Sequence, residues 1–153
     1  MATKEVFLKQ LQGISFAAKG GSGHWVMMDG SPDFGGSSAG STPKELLLMG
    51  LAGCTASDVV PILAKKRVPL VGYEMNLKGV EAEEHPRVFK EIHVEYVFYG
   101  DGINPADVER AIELSKTKYC SVSAMIAKAA EIHITYRIES AEKAFTRRSS
   151  SQE

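Results

Sequence analysis

The densest apolar stretch of the chain lies at 46–63. Leu46, Leu47, Leu48, Met49, Leu51, Ala52, Ala56, Val59, Val60, Ile62 and Leu63 cover nearly the whole circumference of a helix there, and a helix apolar on every face is one buried on every side. Its start is written just upstream, in Ser41-Thr42-Pro43-Lys44-Glu45. Thr42 fits the N-cap, Pro43 the first helical position, and Glu45, three residues after Thr42, the acid of a capping box. Gly50, Gly53, Ser57 and Asp58 interrupt the run, which predicts a core helix and not a membrane span. Pro61 removes a backbone donor and predicts a kink. Lys65-Lys66-Arg67 closes the helix where its dipole favours cations.

On either side the period changes to two. Residues 5–11, 14–18 and 24–28 read as short strands joined by Gln12-Gly13 and by Lys19-Gly20-Gly21-Ser22-Gly23, a three-stranded meander. After the helix, 70–80 and 88–99 read as longer strands about a polar turn at 81–86. Ile92, Val94, Tyr96 and Phe98 alternate with Glu91, His93 and Glu95, which predicts one buried and one wet face. Asn104-Pro105 opens a second helix to about 118; Tyr119-Cys120-Ser121 interrupts it; 121–130 is helical again; and 132–138 is the last strand. This order predicts an α+β fold with antiparallel sheets around the central helix. One small sheet cannot cover a helix that is apolar all round, so the pattern also predicts a homodimer.

Composition narrows the picture only slightly. The chain has 153 residues, a net charge of −1 and an ordinary balance of 44% apolar and 24% charged residues. A single domain over 1–140, with a polar, disordered tail at 141–153, is the expectation. Nothing in the charge points to nucleic acid or an anionic membrane. The first ten residues lack an apolar signal core, so a cytoplasmic location is expected. The Gly/Ser-rich stretch 29–40 resembles a phosphate loop in composition alone, without the Lys-Ser/Thr such a loop needs. His24, His85, His93 and His133 show no metal-type spacing, and no metal or cofactor is expected.

The candidate chemistry lies in the two cysteines. Cys54 is in the middle of the central helix, and Cys120 opens the third helical stretch. A thiol reacts as its thiolate, so a reactive cysteine needs a cation, hydrogen bonds or a helix N-terminus to lower its pKa. By that rule Cys120 is the more acidic of the two. The plain alternative for Cys54 is a small buried core residue. The capping box already accounts for Glu45, and a nine-residue helical offset turns it away from Cys54.

The segment 43–55, from Pro43 to Cys54-Thr55, followed by Cys120-Ser121-Val122-Ser123, resembles the OsmC/Ohr family of osmotically inducible and organic hydroperoxide resistance proteins. The run from Glu45 through Cys54-Thr55 to Asp58-Val59-Val60 is most similar to the YhfA-like branch. The resemblance covers roughly 4–140 and implies an intertwined α+β homodimer with two active sites at its interface. It further implies a peroxidatic Cys54, a resolving Cys120, a small-molecule hydroperoxide substrate and a dithiol reductant, in oxidative-stress defence.

The chain departs from the family pattern at three places. Lys44 stands where the family's peroxidases carry glutamate, with the acid one place later at Glu45. No arginine precedes Arg67, where the family uses one to hold the thiolate; Arg87 is the candidate replacement, and Lys9, Lys19 or His24 could supply only a point charge. Ser121 follows the second cysteine in place of the frequent proline. Phe34 and Tyr119 are candidates for an apolar pocket wall. Three readings therefore stand: a thiol peroxidase, a non-peroxidase dimer that binds a small apolar ligand or senses oxidation, and a structural dimer whose cysteines are core.

Overall fold

The computed structural model describes residues 1–144, and these form two compact units, Met1–Met49 and Gly50 onward. The first unit is a meander of β1 (Val6–Gln12), β2 (Ser15–Gly20) and β3 (Trp25–Met28), all antiparallel. Gly13 makes the first turn with φ +56, and an irregularity between Gln10 and Gln12 absorbs the extra residue. Phe7, Lys19 and Trp25 share one face, with the Phe7 and Trp25 rings 6.2 Å apart and the Lys19 ammonium 4.9 Å from the indole. The sheet covers its own apolar residues poorly: every residue of β1 is exposed, and Trp25 keeps half its surface in solvent.

The loop after β3 is built around one carboxylate. Asp29 accepts hydrogen bonds from the Ser15 and Ser37 hydroxyls (2.8 and 2.7 Å) and from the Gly30, Ser37 and Ala39 amides (2.7, 3.2 and 3.0 Å). These bonds hold its carboxyl far below the usual carboxylate range, with Ser37 contributing most. The loop does resemble an anion cradle, but the anion it holds is its own Asp29. Gly36 is required there, because a Cβ would fall 2.0 Å from the Gly30 carbonyl oxygen.

The long helix α1 (Pro43–Lys65) starts as its sequence predicts. The Thr42 amide and hydroxyl donate to Glu45 Oε2 at 2.7 and 3.0 Å, and the Glu45 amide donates to Thr42 Oγ1 at 3.3 Å. Its burial differs from expectation. Leu51, Thr55, Val59 and Leu63 form one buried stripe, while Gly50, Gly53, Ser57 and Pro61 form an exposed one. The all-round apolar pattern therefore does not mean all-round burial within a single chain. By length and composition alone the helix could cross a membrane, but its buried stripe faces protein.

In the second unit, β4 (Gly72–Glu81), β5 (Phe89–Tyr99) and β6 (Glu131–Glu139) form a sheet in that order. The β4–β5 hairpin is antiparallel as expected, but β5 and β6 run parallel. Their connection is a crossover through α2 (Pro105–Leu114), a π-helical turn (Ser115–Tyr119) and α3 (Ser121–Ile126); a crossover of this length returns the chain in the same direction. Asn104 caps α2, its side chain accepting from the Ala106 amide at 3.0 Å. Ile92, Val94, Tyr96 and Phe98 are buried on one face of β5, with Leu51, Val59 and Leu63 of α1 and Val108 and Ala111 of α2 completing the core. The chain expected to be a tail from 141 continues as a helical turn to 144, where Ala144 clusters with Val97 and Tyr99. The remainder of that expected tail, 145–153, lies outside the described residues.

Candidate functional site

The two cysteines meet inside the second unit. Cys54 is half-buried on α1 and Cys120 is buried, both as free thiols. They are close enough for the Cys54 thiol to act on the ionisation of Cys120. Two local features of the chain bring Cys120 there. The last turn of the second helical stretch widens into the π-turn, closed by the Cys120 amide donating to the Ser115 carbonyl at 2.9 Å; such insertions recur at functional sites. Cys120 then acts as N-cap of α3, its sulfur accepting from the Ser123 amide at 3.3 Å.

That capping bond favours the thiolate, as the helix-start argument expects, but burial opposes it and prevails. Burial pushes the Cys120 thiol up to about 11, and the Cys54 thiol and the Asp58 charge push in the same direction. The helix start therefore does not acidify Cys120 as expected, because desolvation outweighs one amide bond and a six-residue helix.

Around the pair lies a polar cluster inside the core. Asp58 sits four residues after Cys54, on the same helical face. It accepts a hydrogen bond from the Ser115 hydroxyl at 3.0 Å, and Ser115 is fully buried at the head of the π-turn. Thr55 donates to the Leu51 and Ala52 carbonyls at 3.0 Å each and reaches Met75 Sδ at 3.6 Å. Tyr96, buried beneath, has its phenol raised by desolvation, with the Cys120 and Asp58 charges adding to it. Asp58, Ser115 and Tyr96 were not among the residues expected to form the site. The Cys54/Asp58 spacing of four was the legible signal; Ser115 and Tyr96 carried none.

The other expected residues are spread over both units. Glu45 belongs to the first unit, where its carboxylate, held low by Thr42, serves the capping box. Lys44 is exposed beside it. Arg87 is exposed at the β4–β5 turn. Met75, which Thr55 touches, pairs with Tyr96, and the distance from there to Phe89 along the strand is roughly 20 Å. Phe34 is 78% exposed in the first unit and Tyr119 49% exposed in the second, with Lys118 5.3 Å from the Tyr119 ring. Among the described residues no three His, Cys, Asp or Glu side chains converge to hold a metal ion. His93 and His133 do meet as cross-strand neighbours, their rings stacked 4.9 Å apart on the polar face of the sheet beside Glu91.

Comparison with known proteins agrees with this architecture. The chain is 40% identical over 134 residues to Protein YhfA of Escherichia coli K12, covering 88% of this chain and 97% of that one. It is similar to the crystal structure of a hypothetical protein from Aquifex aeolicus (33% identity, TM-score 0.81, covering 92% and 98% of the two chains). It shares its fold with an organic hydroperoxide resistance protein OsmC from Legionella pneumophila (16% identity, TM-score 0.66, covering 89% and 98%). The family model for OsmC-like protein matches residues 35–142. With that match, the relative at 40% identity and the meeting of Cys54 with Cys120 in an α+β fold, the chain belongs to the OsmC-like family.

Proposed function

We propose that this chain is a thiol-dependent peroxidase for organic hydroperoxides, working as a cytoplasmic homodimer in oxidative-stress defence. The observation that carries the reading is the nearness of a half-buried Cys54 to a buried Cys120, seen in the effect of one thiol on the ionisation of the other. The Cys54 thiolate attacks the terminal peroxide oxygen, the O–O bond breaks, and the alcohol leaves with a proton; Cys54 becomes a sulfenic acid. Cys120 attacks that sulfur, an S–S bond forms as the S–O bond breaks, and water leaves. A dithiol reductant then returns both thiols through two exchange steps. The disulfide requires the two sulfurs, one of which already acts on the ionisation of the other, to close to about 2.05 Å.

The homodimer reading rests on uncovered apolar surface. The exposed stripe of α1 is made of small residues, and β1 presents Val6, Phe7 and Leu8 to solvent. Exposed apolar or small-residue surface of this kind, on each unit by itself, is what a second copy would cover. A second reading, a redox-sensing or ligand-binding dimer without peroxidase turnover, is favoured by the charge beside the thiols. Asp58 is an anion where a peroxidatic thiol calls for a cation. One experiment separates the two: thiol counting by mass spectrometry after a brief pulse of tert-butyl hydroperoxide, then dithiothreitol. A fast, reversible Cys54–Cys120 disulfide supports the peroxidase; two free thiols after long exposure refute it.

A further inference from the structure

The peroxidase chemistry leaves one charged group of the site without a task. Asp58 lies one helical turn from Cys54 and is hydrogen-bonded to Ser115, whose carbonyl in turn holds the Cys120 amide. Among the described residues, the hydrogen bond it receives comes from a neutral hydroxyl and not from a cation. The titratable groups around it are Cys54 on its own helix, Cys120 after the π-turn and Tyr96 from β5. A carboxylate in this place opposes formation of the Cys120 thiolate.

We infer that Asp58 accepts the proton of the Cys120 thiol as that sulfur closes the disulfide with Cys54. The inference rests on the thiol pairing of the proposed function but not on hydroperoxide as oxidant. Cys120 is a poor nucleophile while protonated, and its burial keeps it protonated at neutral pH. A base that takes the proton as the sulfur attacks removes the need to form a free buried thiolate. In the closing step the S–S bond forms, the bond from Cys54 to its leaving group breaks, and the Cys120 proton passes to Asp58, which gives it to a departing hydroxide or, where the leaving group is a stable thiolate, to solvent. The leaving group is hydroxide after peroxide and a thiolate after disulfide exchange; hydroxide departs as water by taking the proton back.

The test uses 5,5′-dithiobis(2-nitrobenzoate) on the full chain. Cys54, the more accessible thiol, releases the first thionitrobenzoate; Cys120 then attacks the mixed disulfide and releases the second. In the Asp58→Asn variant the second release is expected to slow by roughly a hundredfold near pH 7, the usual scale of a lost general base. A bystander carboxylate predicts the opposite sign, because removing its charge makes the Cys120 thiolate easier to form. An unchanged or faster second release overturns the inference, as does its absence in the wild-type chain. Should Asp58→Asn fail to fold, the wild-type pH profile decides. A second release nearly flat across neutral pH supports Asp58, and a rise of about tenfold per pH unit, the signature of attack by a thiolate formed in solvent, overturns it. Failure of the hydroperoxide pulse alone removes the peroxidase reading and leaves this result standing.

Discussion

Replacing Gly53 by leucine distinguishes a lone chain from a dimer by the sign of its effect. Gly53 lies on the exposed stripe of α1, and a Cβ placed there meets nothing within 4 Å. Glycine costs a helix interior about 0.8–1.0 kcal/mol relative to alanine, and leucine costs little. In an isolated chain, Gly53→Leu therefore gains about 0.7 kcal/mol, which raises the Tm of a chain of this size by about 2 °C. If a second copy packs on the stripe, the same side chain enters a close interface, where overpacking costs about 1–3 kcal/mol. Two-fold symmetry imposes that cost in both copies, so it exceeds the helix gain and favours dissociation. The expected result is a lower Tm together with a shift from dimer to monomer, read by thermal melts and sedimentation velocity at micromolar concentration. A Tm raised by a few degrees with no change of mass would refute the dimer packing on this face.

Three further outcomes are expected. Leu63→Ala, at a fully buried position of the opposite stripe, should cost about 3 kcal/mol in urea unfolding, the usual scale for a core leucine that leaves a cavity; a loss below 1 kcal/mol would mean that this stripe does not anchor α1. Asp29→Asn should raise amide exchange across 30–39, where the wild-type loop donates its bonds to that carboxylate. Because the Asp29 carboxyl is held low in the folded chain, its contribution is complete above the ordinary value near 4 and is lost only as pH falls well below it; wild-type loop protection that collapses already at pH 4 would contradict the cradle. Iodoacetamide should modify Cys54 first, and Cys120 slowly until pH approaches 11. The fold favours the neutral Cys120 thiol, so its share of stability is full below 9.0 and fades as pH rises toward 11; early alkylation of Cys120 at pH 8 would show that its burial is overstated.

The sequence by itself determined the elements whose causes are local. The capping box at Thr42 and Glu45, the Asn104 cap and the alternation from Glu91 to Tyr96 need only neighbours a few residues away, and the structure has each of them, though Val97 and Tyr99 at the end of β5 are buried on the face expected to be wet. The Cys motifs also placed the chain in its family, since a resemblance of that kind is carried by residue order. Tertiary structure decided what depends on contacts distant in sequence. The direction of β6 follows from the crossover through α2 and α3, which periodicity cannot record. Asp29 became a loop anchor because five donors from residues 15–39 converge on it. The acidification expected for Cys120 failed for the same reason: helix position is visible in sequence, whereas the burial that raises this thiol is set by tertiary packing. Pattern fixes which side chains an element offers, and packing fixes which of them lose water; pKa and reactivity follow the second.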